Sequence, residues 1–365
     1  MSSRERLGWT PFFDAHARSF DARSFRFARV VEEQRGLYRI DGDVAGWAEV
    51  SGRFRHEAAA AAAFPAVGDW IAARFQGSGS RSGSGSRAII EHVLERRTAV
   101  SRAAAGRVRE EQVVAANVDT IFVVASLPHD VNVRRLERYL TMIWDGGATP
   151  VILVNKADLS DDPEGAAAAL RARLPLVDVV VASALHARGL EALAPYLRPA
   201  ATVALVGSSG AGKSTLVNRL LGRDALKTAG VSAVDEKRRG RHTTTSRQLV
   251  VLPGGALLID TPGMRELQPW ADAGAVDAAF DDVAGIARAC RFGDCAHDGE
   301  PGCAVEEAVA SGRLDPDRLA NYRRLAREAA YEERRRDKAA AAEHKRKWKQ
   351  IHRANKIMYR QRGRE

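Results

Sequence analysis

The sequence predicts a multidomain α/β protein: a small N-terminal β-barrel, a central and mostly parallel sheet with helices on both faces, and a helical C-terminal domain. Three observations predict it. Residues 28–97 hold short alternating runs separated by turn residues. Residues 98–270 alternate continuous apolar runs with amphipathic stretches, the pattern of strands buried on both faces by crossover helices. Residues 271–330 read as helical segments around a cluster that contains all three cysteines. At 365 residues the chain exceeds one average domain, and 45% hydrophobic content is enough to build cores.

Residues 1–27 carry Trp9, Phe12, Phe13, Phe20, Phe25 and Phe27 among arginines, without a clean period. This arm either packs its aromatics on a neighbouring domain or lies on RNA, with arginine and aromatic groups contacting phosphates and bases. Residues 29–32, 36–40, 46–50, 69–74 and 88–93 read as five strands, which fits an OB-fold-like barrel spanning 28–97. Residues 58–63 form one helical turn or a loop. The Gly/Ser/Arg-rich stretch 76–87 reads as a mobile loop between strands. Arg53, Arg55, Arg74, Arg81 and Arg87 line an RNA face or are ordinary solvated charges.

From 98 to 270 the strands are 120–125, 150–154, 177–182, 202–206 and 256–259, with helices at 133–144, up to 174, at 189–197 and at 215–221. The strand at 202–206 runs into Gly207-Ser208-Ser209-Gly210-Ala211-Gly212-Lys213-Ser214-Thr215, which is G-x-x-x-x-G-K-S, a P-loop. Its glycines let several backbone N–H groups face a phosphate chain at a helix N-terminus. Lys213 would reach the β- and γ-phosphates, and the Ser214 hydroxyl would ligate Mg²⁺.

Asn155-Lys156-Ala157-Asp158 closes the strand at 150–154. A carboxylate there accepts two hydrogen bonds from the N1–H and N2–H₂ edge of guanine, a pair that adenine does not offer, so Asp158 selects guanine. Asn155 would orient the loop and the Lys156 stem would cover the base. Ser183-Ala184 would place a backbone N–H near the guanine oxygen. In Gly240-Arg241-His242-Thr243-Thr244-Thr245 a threonine can ligate Mg²⁺; Thr244 is favoured over Thr243 and Thr245. In Asp260-Thr261-Pro262-Gly263, Asp260 would hold Mg²⁺ and the Gly263 N–H would sense the γ-phosphate. Met264 cannot orient water, so intrinsic hydrolysis is expected to be slow. His242 is the nearest candidate to assist, unless it bonds only its own loop. The base motif precedes the phosphate motif, so the central domain is a circularly permuted P-loop GTPase. Its new carboxyl end falls just after Gly263, and nucleotide state is expected to move the next domain.

Cys290-x₄-Cys295-x-His297-x₅-Cys303 offers a Cys₃His ligand set, a common closed tetrahedral Zn²⁺ site. One structural Zn²⁺ is expected beside the nucleotide's Mg²⁺. The tail at 331–365 is strongly basic and reads as an RNA-binding helix. A net charge of +10 agrees with a polyanionic partner. The charged start, the absence of an apolar run of about 18 residues and the clustered cysteines predict a cytoplasmic protein without a membrane partner.

Over about residues 28–330 the chain resembles the ribosome small-subunit-dependent GTPase A family of bacteria. The resemblance rests on the permuted N-K-A-D, S-A-L, G-x-x-x-x-G-K-S, G-R-H-T-T-T and D-T-P-G-M-R-E series and on C-R-F-G-D-C-A-H-D-G-E-P-G-C. The 76–87 insertion and the long basic tail depart from the compact pattern. The resemblance implies a cytoplasmic GTPase that binds the small ribosomal subunit late in its maturation and is stimulated by that subunit. GTP and GDP, the subunit's rRNA and a monomeric state are expected with it. The rival readings are a permuted GTPase of the large subunit or another RNA, and an RNA-binding module with a vestigial GTP site.

Overall fold

The computed structural model describes all residues except 1, 22, 35, 59, 77–86, 104–110, 129, 223–246, 261–272 and 332–365. Most of the Gly/Ser stretch and the basic tail fall outside the described residues. The chain divides into two compact units, Met1–Pro269 and Trp270–Glu365.

In the first unit, α1 (Ser3–Arg6) and α2 (Pro11–Ala17) precede β1 (Arg26–Gln34), β2 (Leu37–Gly42) and β3 (Gly46–Val50). After α3 (Gly52–Glu57) and a 3-10 turn at Ala61–Ala63 come β4 (Trp70–Gln76) and β5 (Arg87–Val93). These five strands pair in the order β1-β2-β3-β5-β4, and β4 returns to β1, closing the barrel. Its interior holds Ala28, Val30, Tyr38, Ile40, Val50, Ile71, Ala73 and Ile90. Alternate residues of β4, Trp70 and Ala72, face outward into a second core shared with Trp9 and Phe13. Trp9 meets Trp70 edge-on at 4.7 Å and donates its indole N–H to Asp14 at 2.7 Å. Of the two readings of the arm, the described geometry is therefore the packed one.

The central elements are β6 (Ala99–Ala103), β7 (Glu111–Ala116), β8 (Thr120–Ser126), α4 (Val133–Asp145), β9 (Thr149–Asn155), α5 (Pro163–Arg173), β10 (Asp178–Val181), β11 (Thr202–Gly207), α6 (Lys213–Leu221), β12 (Arg247–Val251) and β13 (Leu257–Asp260). β8, β9, β10, β11 and β13 are parallel. Side chains of β8 alternate between two cores: Ile121, Val123 and Ala125 on one face, Phe122 and Val124 on the other. α4 is capped by Asn132, whose side chain accepts the Arg135 N–H, and buries Leu136, Tyr139, Leu140 and Ile143 at helical spacing. α5 starts with Pro163 after the Asp162 cap.

Three features depart from expectation. The stretch 189–197 is not an α-helix but a 3-10 turn at Leu190–Leu193 followed by turns; Pro195 has no N–H to continue a helix. The hairpin of β6 and β7, which pair with each other and not with the main sheet, was not expected from this alanine-rich segment. β12 was also missed, and it joins the two sheets. It runs antiparallel to β13 on one side and pairs with the end of β1 through Glu32–Gln248 and Glu33–Arg247 on the other. Barrel and nucleotide-type sheet are thus one eleven-stranded sheet among the described residues.

One buried side chain marks the same junction. Arg29 is 1% exposed. It donates to the carbonyls of Leu7 (2.6 Å), Gly68 (2.9 Å) and Asn117 (2.9 Å) and to Thr202 Oγ1 (2.9 Å). Arm, barrel, connecting segment and β11 converge on one guanidinium. Burial lowers its pKa to about 10, so it stays charged at neutral pH.

The second unit contains α7 (Ala273–Ala279), α8 (Asp281–Ala287), α9 (Ala304–Ala310) and a helix α10 over 316–331. α7 and α8 are separated at Phe280, whose ring is fully buried. Among the described residues, no helix is long and apolar enough to cross a membrane.

Candidate nucleotide site and metal centre

The predicted base and phosphate loops meet at the carboxyl edge of the parallel strands, the place where open α/β sheets bind ligands. Asn155 ends β9 and is 2% exposed. Its amide nitrogen donates to the Ala211 carbonyl at 2.8 Å, and its Oδ1 accepts the Ala184 N–H at 3.0 Å. One side chain thereby ties the base loop, the P-loop and the Ser183–Ala184 segment together. Lys156 takes a left-handed conformation with φ of 60°, and the turn Ala157–Leu159 carries Asp158.

The Asp158 carboxylate accepts the Ser183 hydroxyl. That hydrogen bond is the main cause holding its pKa below the ordinary carboxylate value. His186 lies 3.8 Å away from the second carboxylate oxygen. Motif spacing gave Ser183 only a backbone role; its side chain orients the acid. Adjacency of β9 and β10 in a parallel pair is the signal that their C-terminal loops touch.

Gly207 ends β11, Ser208 to Gly212 follow it, and α6 begins at Lys213. Gly212 has φ of 93°, and a Cβ there would lie 2.3 Å from the Asn155 amide nitrogen. A side chain at this position would separate the two loops. Lys213 donates to the carbonyls of Gly207 (2.7 Å) and Ser208 (2.5 Å) across its own loop. Ser214 and Thr215 occupy the first turn of α6, where backbone N–H groups lack intrahelical partners. Asp260 ends β13, which pairs in parallel with β11, so it stands at the same sheet edge. His242, Thr243, Thr244, Thr245 and Gly263 lie outside the described residues. Of the arginines considered for RNA, Arg53 pairs with Glu57 and Arg74 lies over the Phe25 ring at 4.7 Å.

Chain order and spatial order differ in one respect: the base loop comes first in the chain and the phosphate loop after it. That is the order of a circularly permuted P-loop GTPase, and the protein is of that class. A family model described as RsgA GTPase matches residues 93–270. The chain is 48% identical over 364 residues to the Small ribosomal subunit biogenesis GTPase RsgA of Opitutus terrae, covering 98% of each. It is 49% identical over 268 residues to the protein of the same name from Methanosarcina acetivorans, covering 73% of this chain and 70% of that one. The chain belongs to the RsgA GTPase family, whose members are GTP hydrolases. The crystal structure of YjeQ from Thermotoga maritima aligns with a TM-score of 0.62 at 26% identity, covering 84% of this chain and 99% of that one. YloQ, described as a circularly permuted GTPase, shares the fold with a TM-score of 0.58 at 21% identity, covering 84% of this chain and 96% of its own.

In the second unit the ligand atoms of Cys290, Cys295, His297 and Cys303 all lie within 4.8 Å of one another. The Cys290 and Cys303 sulfurs are 4.0 Å apart, and His297 Nδ1 is 3.6 Å and 3.5 Å from them. Tetrahedral zinc with ordinary bond lengths requires S···S edges of about 3.8 Å and S···N edges of about 3.5 Å. The cluster is therefore compatible with zinc, and its cysteines form no disulfide. Burial lowers the His297 pKa, which favours the neutral imidazole that a metal ligand needs. Cys303 caps α9 and its sulfur accepts the Glu306 N–H at 3.4 Å.

Proposed function

We propose that this chain is a GTP-switched assembly factor in late maturation of the small ribosomal subunit, binding rRNA and hydrolysing GTP to GDP and phosphate when stimulated by that subunit. The end-to-end likeness to the Opitutus terrae protein, from N-terminal arm to tail, carries this reading. In the proposed site Asn155, Lys156, Ala157, Asp158, Ser183 and Ala184 hold guanine. Gly207 to Thr215 hold the phosphates, with Lys213 neutralising charge on the β- and γ-phosphoryl oxygens. Ser214, Thr244 and Asp260 hold Mg²⁺, which supplies charge stabilisation when bound. Gly263 senses the γ-phosphate, and His242 positions or deprotonates water. Cys290, Cys295, His297 and Cys303 hold one structural zinc. The protein acts as a cytoplasmic monomer, with residues 28–97 and 331–365 as its RNA-facing parts.

The test is GTP hydrolysis with and without purified small subunits, with large subunits and ATP as controls. The expected result is stimulation by small subunits alone, for GTP alone. Equal stimulation by large subunits, or none by either, would overturn the small-subunit assignment.

A further inference from the structure

We propose that Arg219 is a positioning residue for guanine recognition, acting through the peptide that joins Ala184 to Leu185. This rests on the assignment of Asn155 and Asp158 to the base. Arg219 lies on α6, the helix that begins at the phosphate loop. Its Nε donates to the Ala184 carbonyl at 3.1 Å and its Nη2 to the Leu185 carbonyl at 2.7 Å. The planar fork of arginine suits two successive carbonyls, and a lysine could not reproduce both bonds in one geometry.

The loop has other restraints, including the His186 N–H on Ser183 Oγ at 3.3 Å and the burial of Ala184, but among the described residues none of these bonds holds the Ala184 carbonyl. Ser183 and Arg188 exchange backbone hydrogen bonds at 2.9 and 3.1 Å, closing the loop at its base. The Ala184 N–H is already taken by Asn155 Oδ1. The Leu185 side chain is 59% exposed, so packing does not anchor it. What remains is the Ala184 C=O and Leu185 N–H unit, a rigid trans plane whose two groups point opposite ways. By holding the carbonyl, Arg219 fixes the direction of the Leu185 N–H, which has no partner among the described residues. That N–H is the donor for guanine O6, and the phosphate-binding helix thereby sets the register of base reading.

The test compares equilibrium affinities of the full chain and its Arg219→Met and Arg219→Lys variants for three diphosphates. GDP and inosine diphosphate both present O6. 6-Thio-GDP keeps the N1–H and N2–H₂ edge but replaces O6 with sulfur, a weaker acceptor. In Arg219→Met, GDP and inosine diphosphate affinities are expected to fall together by about tenfold, with 6-thio-GDP little changed. Arg219→Lys is expected to recover part of the loss. An equal fall for all three ligands, or no fall for GDP, would overturn the proposal. A separate arm tests the base assignment: Asp158→Asn is expected to exchange preference for GDP for xanthosine diphosphate. If it does not, the base site is misassigned and the proposal falls with it. If it does while the Arg219→Met selectivity matches wild type, Arg219 alone has been misread.

Discussion

In the proposed site, the contact between Ser183 and Asp158 gives guanine binding a pH dependence of definite direction. The carboxylate form of Asp158 is the one that would accept the base edge, and the Ser183 hydroxyl lowers the Asp158 pKa. For an acid whose folded pKa is depressed, the favourable interaction is present above the ordinary value and is lost only as pH falls through the lower, folded one. Guanine affinity should therefore persist into mildly acidic solution. In Ser183→Ala the pKa rises toward its ordinary value, and the acidic limb of GDP binding should move to higher pH. Titrating GDP affinity from about pH 7 to about pH 4 checks this; an unmoved limb would mean that Ser183 does not tune the acid. The motif showed that an acid was needed here, but not which hydroxyl would restrain it. Residues 25 positions apart meet only because β9 and β10 are neighbours.

Among elements, the junction of barrel and nucleotide-type sheet is held by the pairing of β1 with β12, by the hydrogen bonds of Arg29 and by the apolar core that Trp70 and Ala72 share with Ile121 and Val123. Removing the Arg29 guanidinium would take that donor from the buried carbonyls of Leu7 and Asn117 and from the Thr202 hydroxyl, while the Gly68 carbonyl keeps the Asn117 amide at 3.1 Å. Arg29→Met is expected to cost about 3–5 kcal/mol of stability, the range for breaking a buried charged network. Urea unfolding of the full chain measures this, and a loss below about 1 kcal/mol would show that the junction does not depend on the guanidinium. Arg29 was legible only as one arginine in an alternating strand. Its partners come from four segments, the most distant 173 positions away at Thr202, so no local pattern could single it out. The barrel strands, by contrast, were legible as short apolar runs between turn residues, with clean alternation in β2.

For the whole molecule, the Cys₃His cluster is a source of order within the second unit beside its buried apolar side chains. α7, α8 and α9 span seven residues each, and the cluster joins the loop 290–303 to the start of α9. Metal binding in such a loop contributes directly to folding. The full chain is expected to carry about one zinc per molecule, and a strong chelator should remove it and lower the helical signal. Protein purified without zinc, with a helical signal insensitive to chelator, would sink this prediction. Cys303→Ser should reproduce the effect of the chelator through loss of a ligand.

The sequence by itself determined which chemistry to expect: a phosphate-loop motif, an acid placed to select guanine, a permuted order and a Cys₃His set compatible with zinc. Each is a local pattern, because backbone turns, helix starts and ligand spacing are set by neighbours along the chain. Only the tertiary structure decided how those parts are held. It placed Asn155 between two loops, put Arg219 on the carbonyls of Ala184 and Leu185, buried Arg29 at a four-way junction, and fused barrel and sheet through β12. These arrangements depend on which strands lie side by side, and strand neighbours are chosen by burial of the whole core.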